Sequence, residues 1–172
     1  MAFVMAIIKY NDLSEIREQH RDKKIVFCSG TFDLPHAGHV LFFEDCKRYG
    51  EILVVALGVD ELTREFKGEK RPILNEHIRL KTVDSFKPVD YSLLVGRDYH
   101  SSSYPLSVST FPKLFDLLKP NKWVVNKDAQ DIPMRHELAN RFNVELIVLE
   151  RYCPREFEDI STTKLIEKIR AL

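Results

Sequence analysis

The sequence predicts an α/β fold in which helices cover both faces of a five-stranded parallel sheet. Two observations support this prediction. Five short apolar segments alternate with segments of helical pattern, which gives repeated β-α-β units. One of these segments, EILVVALG at 51–58, is a continuous apolar run, as expected of a strand that is buried on both faces. Right-handed crossovers between parallel strands then place helices on both sides of the sheet.

The individual elements follow from apolar runs, helical spacing and end signals. The strands are predicted at 25–29, 51–58, 89–96, 122–126 and 144–150. The helices are predicted at 12–24, 39–50, 76–86, 111–120, 133–142 and 161–172. Gly50 suits the end of one helix, and Pro133 suits the start of another, where its missing N–H is no loss. The result is a three-layer, Rossmann-like α/β/α arrangement.

Two segments interrupt this alternation. Residues 61–73 are charged and contain Gly68 and Pro72, so we predict a loop, or a short helix followed by a loop. Residues 97–109 are polar and rich in serine, and the loop predicted there could shape a substrate pocket or a subunit contact. Trp123 lies inside a predicted strand, so we expect a core residue rather than a platform for stacking a ligand.

Composition favours one soluble domain over residues 1–172, with residues 1–23 as a helical extension. The chain has 26 basic and 26 acidic residues, and this balance argues against a dedicated nucleic-acid binder. Its three cysteines, Cys28, Cys46 and Cys153, are too sparse for a disulfide framework, so we expect a cytoplasmic protein. The apolar start MAFVMAII is short and lacks a basic leader, so we expect no signal peptide. No apolar run is long enough to span a membrane, so we expect no membrane association.

The stretch SGTFDLPHAGH at 29–39 follows the first predicted strand and carries two histidines, His36 and His39. In a parallel sheet this position is a carboxyl end, where ligands bind. A helix beginning there would offer free N–H groups and two imidazole donors to a phosphate, while Gly30 and Gly38 would let the ligand approach the backbone. A metal site would need further ligands that do not follow at suitable spacing. An ordinary buried turn with incidental histidines is the third alternative.

This stretch, followed by HVLFFEDCKRYGEILVVAL, resembles the cytidylyltransferase-like nucleotidyltransferases, which carry a GTFD-type loop and an HxGH motif. A second signature of that family, ISTT, is present at 160–163. Two branches of the family are similar to the chain. The Pro154-Arg155 pair before ISTT resembles glycerol-3-phosphate cytidylyltransferase, whereas KIVF, HAGH and FKGEKRP at 66–72 resemble the heptose-phosphate adenylyltransferase domain.

The resemblance implies roles for individual residues. Contacts with the reacting phosphates are implied for His36, His39, Lys67 and Arg155, with Lys70 and Arg71 as alternatives to the lysine. Nucleotide-binding roles are implied for Gly30, Thr31, Phe32, Asp33, Gly38, Arg79, Asp128, Ile160, Ser161 and Thr162. Asp33 holds the first loop or approaches a magnesium ion. Lys127 stands where the relatives carry the glycine of a glycine–aspartate pair, which weakens the match at Asp128.

The implied reaction is attack by a phosphorylated sugar or polyol on the α-phosphate of CTP or ATP, with release of pyrophosphate and with Mg²⁺ as cofactor. A phosphate monoester is largely ionised at neutral pH and therefore needs no general base. We take CTP with a glycerol-phosphate-like acceptor as the leading interpretation. ADP-heptose formation and FMN adenylylation are alternatives, and a non-catalytic nucleotide-binding module is the alternative from another class. The resemblance also implies a homodimer. A class I aminoacyl-tRNA synthetase is excluded by the short chain and its balanced charge.

Overall fold

The computed structural model describes residues 6–96, 103, 108–150, 154–157 and 160–172. They form a parallel sheet of six strands in the order β1-β4-β3-β2-β5-β6. The strands are β1 Ala6–Ile7, β2 Ile25–Gly30, β3 Ile52–Gly58, β4 Tyr91–Val95, β5 Lys122–Asn126 and β6 Glu145–Leu149. The three-layer, Rossmann-like α/β/α prediction is confirmed, but the predicted number of five strands is wrong.

The additional strand lies in the segment that the sequence predicts as a helical extension. Ala6 and Ile7 pair in parallel with Tyr91 and Ser92 at one edge of the sheet. Two residues are too few to produce a period-2 pattern that can be detected in a sequence. A short 3₁₀ helix at Tyr10–Asp12 then leads into the first α-helix.

Seven α-helices are present among the described residues. They are α1 Leu13–Gln19, α2 Ala37–Lys47, α3 Asp60–Lys67, α4 Glu76–Asp84, α5 Phe111–Leu118, α6 Ile132–Arg141 and α7 Thr162–Arg170. Helices α1, α5 and α6 supply apolar side chains to the core on one face of the sheet. Helices α2 and α4 supply those of the core on the other face.

Strand β3 shows why the continuous apolar run predicts the sheet correctly. Its residues from Ile52 to Leu57 are all buried. Ile52, Val54 and Ala56 belong to the core on the α5 face, and the alternating residues belong to the core on the α2 face. A central strand of a parallel sheet is covered on both sides, so both of its faces are apolar. Trp123 on β5 is also fully buried, as predicted.

The charged segment 61–73 contains a helix as well as a loop. Acidic Asp60 and Glu61 lie in the first turn of α3, and basic Arg64 and Lys67 lie in the last, an order that complements the helix dipole. The helix ends at Gly68, whose positive φ of 87° favours glycine. Most of the predicted 97–109 loop lies outside the described residues. Among the described helices, none is both long and apolar enough to cross a membrane.

Gly50 has a different role from the helix-ending one that the sequence suggests. Helix α2 already ends at Lys47, and Gly50 does not adopt a positive φ. A Cβ atom there would lie 2.6 Å from the carbonyl oxygen of Lys24 and 2.8 Å from a methyl group of Val26. Glycine is therefore required because the chain entering β2 passes close by.

We predict that Gly50→Ala lowers the free energy of unfolding by about 1–3 kcal/mol, the usual cost of forcing an extra carbon into a packed site. Urea denaturation measures this change. Gly58→Ala is the matched control, because its Cβ would meet the nearest atoms at ordinary distances of 3.8 and 3.9 Å. Equal stability of the two variants would contradict the close approach at Gly50.

Candidate active site

A cavity of about 780 Å³ lies at the carboxyl edge of the sheet. The last residues of four neighbouring strands line it, namely Gly30, Gly58, Val95 and Asn126. This is the edge at which parallel α/β sheets bind ligands, and the volume is typical of a small-molecule site. His36, Gly38 and His39 of the histidine motif line this cavity.

The loop between β2 and α2 is strained and tightly packed. Phe32 and Leu34 adopt positive φ values of 49° and 45°, which non-glycine residues rarely do. The Phe32 ring fills the space above Gly30, where a Cβ would lie 2.9 Å from it. The same ring makes an edge-on contact with His39 at a centroid distance of 5.4 Å. The loop therefore forms one wall that orients the second histidine.

Backbone amides fix both histidine rings at the start of α2. The N–H of Gly38 donates to His36 Nδ1 at 3.1 Å, and the N–H of His36 donates to His39 Nδ1 at 3.4 Å. The two rings stack with their centroids 3.9 Å apart. Because each Nδ1 accepts a hydrogen bond, each neutral ring carries its proton on Nε2. The pair thus has two N–H donors of defined tautomer in a cavity wall, an arrangement suited to phosphate oxygens.

Asp33 is buried and holds this loop in place by accepting hydrogen bonds from protein donors. Its carboxylate is 1% exposed and accepts the backbone N–H groups of Leu34, Ile73 and Leu74 at 2.9–3.1 Å. The guanidinium of Arg71 contacts the same carboxylate through Nε and Nη2 at 3.0 Å. Both carboxylate oxygens accept hydrogen bonds from protein donors, so of the two roles that the resemblance implies for Asp33, these contacts favour holding the loop. The described residues contain no group of three potential metal ligands.

Arg79, for which the resemblance implies a nucleotide-binding role, does not line the cavity but lies behind its wall. Its side chain is completely buried and donates to the carbonyl oxygens of Thr31, Gly58 and Leu74 at 2.6–3.0 Å. It also pairs with Asp60 at 2.7 Å. A buried cation with these partners ties the histidine loop to the end of β3 and the start of α3.

Lys67 and Arg71 bring positive charge to the α3 side of the cavity. Burial lowers the pKa of Lys67, and the nearby Arg71 lowers it further, whereas Asp33 and Asp128 oppose that change. The Lys67 residue as a whole is exposed, so burial lowers the pKa of its ammonium group only in part, and Arg71 beside it is paired with Asp33. An anion between Lys67 and Arg71 would relieve this repulsion.

The N-terminus of helix α7 carries the ISTT signature and contacts the loop of the histidine motif. The Ser161 hydroxyl accepts the N–H of Lys164 at 3.2 Å and so caps the helix. The Thr162 hydroxyl donates to the carbonyl oxygen of Asp33 at 2.7 Å. We call His36, His39 and the first turn of α7 the phosphate clamp, since together they present imidazole and backbone N–H donors to one cavity.

Most of the predicted site residues line the cavity. They are Gly30, Thr31, Phe32, His36, Gly38, His39, Lys67, Asp128, Ser161 and Thr162. Asp33 and Arg79 support the wall from behind. Arg155 is exposed and does not line the cavity, and Ile160 does not line it either, although its carbonyl oxygen would lie 3.5 Å from a Cβ on Gly38.

Arg135 and Thr63 are two polar residues among the lining residues that the sequence does not predict. Arg135 is buried on α6, on the same helix face as Leu138 and Ala139. An arginine at helical spacing from two apolar residues is the sequence signal that could have identified Arg135 as a site residue. Thr63 is 1% exposed, and its hydroxyl has no hydrogen-bond partner among the described residues. Such a group indicates a polar ligand or water in the cavity.

Comparisons with known proteins show which family the chain resembles. The cytidylyltransferase-like family pattern matches residues 27–168. The bifunctional protein HldE of Campylobacter jejuni (strain RM1221) is 35% identical over 171 residues, which is 99% of this chain and 32% of HldE. HldE of Helicobacter pylori (strain P12) is 33% identical over 159 residues, covering 92% of this chain and 30% of that protein. The chain thus spans about a third of the length of these curated relatives.

Solved structures agree at the level of the fold. A lipopolysaccharide core biosynthesis protein from Thermoplasma volcanium GSS1 aligns with a TM-score of 0.61 and 24% identity, over 76% of this chain and 99% of its own. Pantoate-beta-alanine ligase from Francisella tularensis, complexed with beta-gamma ATP and beta-alanine, aligns with a TM-score of 0.62 and 18% identity, over 97% of this chain and 79% of its own.

The surroundings of Asp33 predict a large effect on stability. Asp33→Ala leaves the largely buried Arg71 and three partly buried N–H groups without their acceptor, so we expect a loss of roughly 3–5 kcal/mol in the free energy of unfolding. Urea denaturation without magnesium measures it. Asp128→Ala, which removes an exposed carboxylate of the same cavity, is the control and should change stability by less than about 0.5 kcal/mol. A stable Asp33→Ala protein whose activity returns at high magnesium would instead identify a metal ligand.

Proposed function

The chain belongs to the cytidylyltransferase-like nucleotidyltransferases, and on that premise we propose that it transfers the adenylyl group of ATP to a sugar phosphate. Pyrophosphate is the second product. The observation that carries this proposal is the stacked histidine pair, which holds backbone N–H groups at both Nδ1 atoms and lines a cavity that the N-terminal turn of α7 also lines. A heptose phosphate is the proposed acceptor, because KIVF, HAGH and FKGEKRP resemble the heptose-phosphate adenylyltransferase domain and because the chain is similar to HldE over most of its length.

The choice of ATP over CTP rests on which family-like features lie in the site. Lys67 and Arg71, which belong to the stretch that is similar to the heptose-phosphate branch, line the cavity. Arg155, which belongs to the stretch that is similar to the glycerol-phosphate branch, does not. Similarity to HldE over nearly the whole chain supports the same choice. CTP with a polyol phosphate is the second candidate, because the family pattern itself includes cytidylyltransferases.

The proposed mechanism relies on position and charge. The attacking phosphate is already an anion near pH 7, so no side chain has to remove a proton. Negative charge grows on the α- and β-phosphate oxygens as pyrophosphate leaves. His36 and His39 donate fixed N–H groups to these oxygens, while Lys67 and Arg71 add positive charge from the α3 side. Donors that need no rearrangement lower the barrier effectively.

Magnesium and a homodimer stay predictions from the family resemblance, and a cytoplasmic location stays a prediction from the sparse cysteines. Magnesium neutralises phosphate charge when it is bound to a nucleotide. With Asp33 engaged elsewhere, we propose that the ion is held mainly by the triphosphate and water, with Asp128 as a carboxylate within the cavity lining. An FMN acceptor and a non-catalytic module are the remaining alternatives, and a turnover assay distinguishes them.

The proposal predicts pyrophosphate release with ATP and a heptose or hexose phosphate, when each of the common nucleoside triphosphates is assayed against sugar phosphates, glycerol 3-phosphate and FMN. His39→Ala should reduce kcat by roughly 10²-fold or more, since losing one preorganised donor typically has that effect. Pyrophosphate release is followed with a coupled assay at saturating substrates.

His77→Ala is the matched control, because His77 is an exposed histidine on α4 outside the cavity lining. Its kcat should equal that of the unmodified protein. Turnover with CTP and glycerol 3-phosphate alone would favour the second candidate, and no turnover with any pair would favour the non-catalytic module. A near-normal kcat for His39→Ala would reject the donor role of the histidine pair.

A further inference from the structure

Thr63 on α3 has a buried hydroxyl for which the described part of the chain supplies no hydrogen-bond partner. The residue is 1% exposed and lines the cavity, and its Oγ1 has neither a donor nor an acceptor among the described residues. Its backbone is paired normally, because the Thr63 N–H donates to the carbonyl oxygen of Val59 at 3.0 Å. A buried hydroxyl without a partner lowers the stability of a protein, so its presence in a ligand cavity needs an explanation.

A threonine on another helix shows what the Thr63 hydroxyl lacks. Threonine side chains within helices can donate to the carbonyl oxygen four residues earlier. On α4, the Thr82 hydroxyl donates in this way to the carbonyl oxygen of Ile78 at 2.8 Å. The Thr63 hydroxyl does not use the corresponding carbonyl oxygen of Val59. It is therefore available for a partner that arrives with a ligand.

The Thr63 hydroxyl lies beside the end of strand β3, where the chain leaves room for a ligand. A Cβ atom built on Gly58 would meet the Thr63 hydroxyl oxygen first, at 3.8 Å, and the Cβ of Leu62 next, at 3.9 Å. These are ordinary van der Waals distances, so the space between Gly58 and Thr63 can hold a further atom. Gly58 also lines the cavity, and Arg79 fixes its position by donating to its carbonyl oxygen at 2.8 Å. A ligand that lies against Gly58 therefore comes within reach of the Thr63 hydroxyl.

The charge near this space indicates which ligand group it suits. Lys67 follows Thr63 by one helical turn on the same side of α3, and it lines the same cavity. Arg71 lines the cavity as well, although its guanidinium is paired with Asp33. A cation and a hydroxyl donor one turn apart suit an anionic oxygen, because hydrogen bonds to charged acceptors are the stronger ones. Both substrates of the proposed reaction carry such oxygens on their phosphoryl groups.

We propose that Thr63 is a substrate-binding residue whose hydroxyl donates to a phosphoryl oxygen lying against Gly58, with Lys67 supplying the positive charge. This inference rests on the proposed function and adds a donor from the α3 side of the cavity to those of the phosphate clamp. The phosphoryl oxygen belongs either to the nucleotide or to the acceptor, and both sources offer a hydroxyl the same chemistry. Binding measurements with separate probes distinguish them.

The test uses Thr63→Val, which removes the hydroxyl and keeps the shape of the side chain. Calorimetry measures binding of α,β-methylene-ATP, or of the CTP analogue if that binds more tightly, and then binding of inorganic phosphate to the analogue-saturated protein. We expect Thr63→Val to weaken at least one of these probes by roughly 10-fold or more, because a hydrogen bond to a charged group is lost. Weaker binding of the analogue assigns the oxygen to the nucleotide, and weaker binding of phosphate alone assigns it to the acceptor. The free nucleoside, which has no phosphate, should bind as before.

The same substitution should not reduce stability, because the hydroxyl has no partner in the protein to lose. Urea denaturation of Thr63→Val should give a midpoint equal to or above that of the unmodified protein. Gly58→Ala is an independent variant, since its methyl group would occupy the space beside the hydroxyl and should weaken the same probe. Thr63→Ser keeps the hydroxyl and should retain most of the affinity.

Thr82→Val is the matched control, because Thr82 is a helical threonine outside the cavity lining whose hydroxyl already has an acceptor. It should leave the affinity for every probe unchanged. These titrations need no turnover, so they give a result even if the proposed reaction is wrong.

Four results would overturn the inference. Unchanged binding of both phosphate-bearing probes to Thr63→Val would leave only an ordered water as the partner of the hydroxyl. An equal weakening of the free nucleoside would show that the hydroxyl contacts the nucleoside and not a phosphoryl oxygen. A lower urea midpoint for Thr63→Val than for the unmodified protein would mean that the hydroxyl has a partner within the protein. Failure of the unmodified protein to bind either phosphate-bearing probe would remove the subsite altogether.

Discussion

The hydrogen-bonded Asp33 carboxylate is the constraint on which the candidate site depends. It accepts three backbone N–H groups and the Arg71 guanidinium, and so joins the loop after β2 to the segment before α4. Thr162 donates to the carbonyl oxygen of the same residue, which attaches α7. Together with the Arg79 contact to the carbonyl oxygen of Thr31, these contacts hold Phe32 and Leu34 at positive φ beside the histidines. Strain of this kind is common where a backbone must present a site in one geometry.

The consequence is a site that acts through fixed donors. The histidine rings receive backbone N–H groups at Nδ1, so their tautomer is set before a ligand binds. Arg79 and Arg135 are held in the same way, by carbonyl oxygens and by aromatic rings. A reaction whose nucleophile is already ionised gains most from such preorganisation. The proposed reaction therefore depends on how the site positions the reacting phosphates and not on a proton transfer by a side chain.

The sequence predicts those features that depend on local pattern. Alternating apolar segments give the parallel sheet, and the Gly30-to-His39 motif gives the position of the cavity. It does not predict contacts between distant segments. From the sequence alone, Asp33 could be a metal ligand, whereas in the structure its carboxylate accepts hydrogen bonds from Arg71, Ile73 and Leu74. Likewise, the sequence suggests a substrate contact for Arg79, whereas in the structure its guanidinium donates to three carbonyl oxygens. Strand β1 is missed because two residues have no period, and Arg135 because its aromatic neighbours come from other elements.

The tautomers of His36 and His39 in solution test the central claim most directly. Nitrogen-15 NMR of labelled imidazoles distinguishes a protonated Nε2 from a protonated Nδ1. At a pH above the histidine titration, both rings should carry the proton on Nε2, and both Nε2 signals should move when α,β-methylene-ATP binds. Protonated Nδ1 atoms, or Nε2 signals that do not respond to the nucleotide analogue, would contradict the assignment of these histidines as phosphate donors.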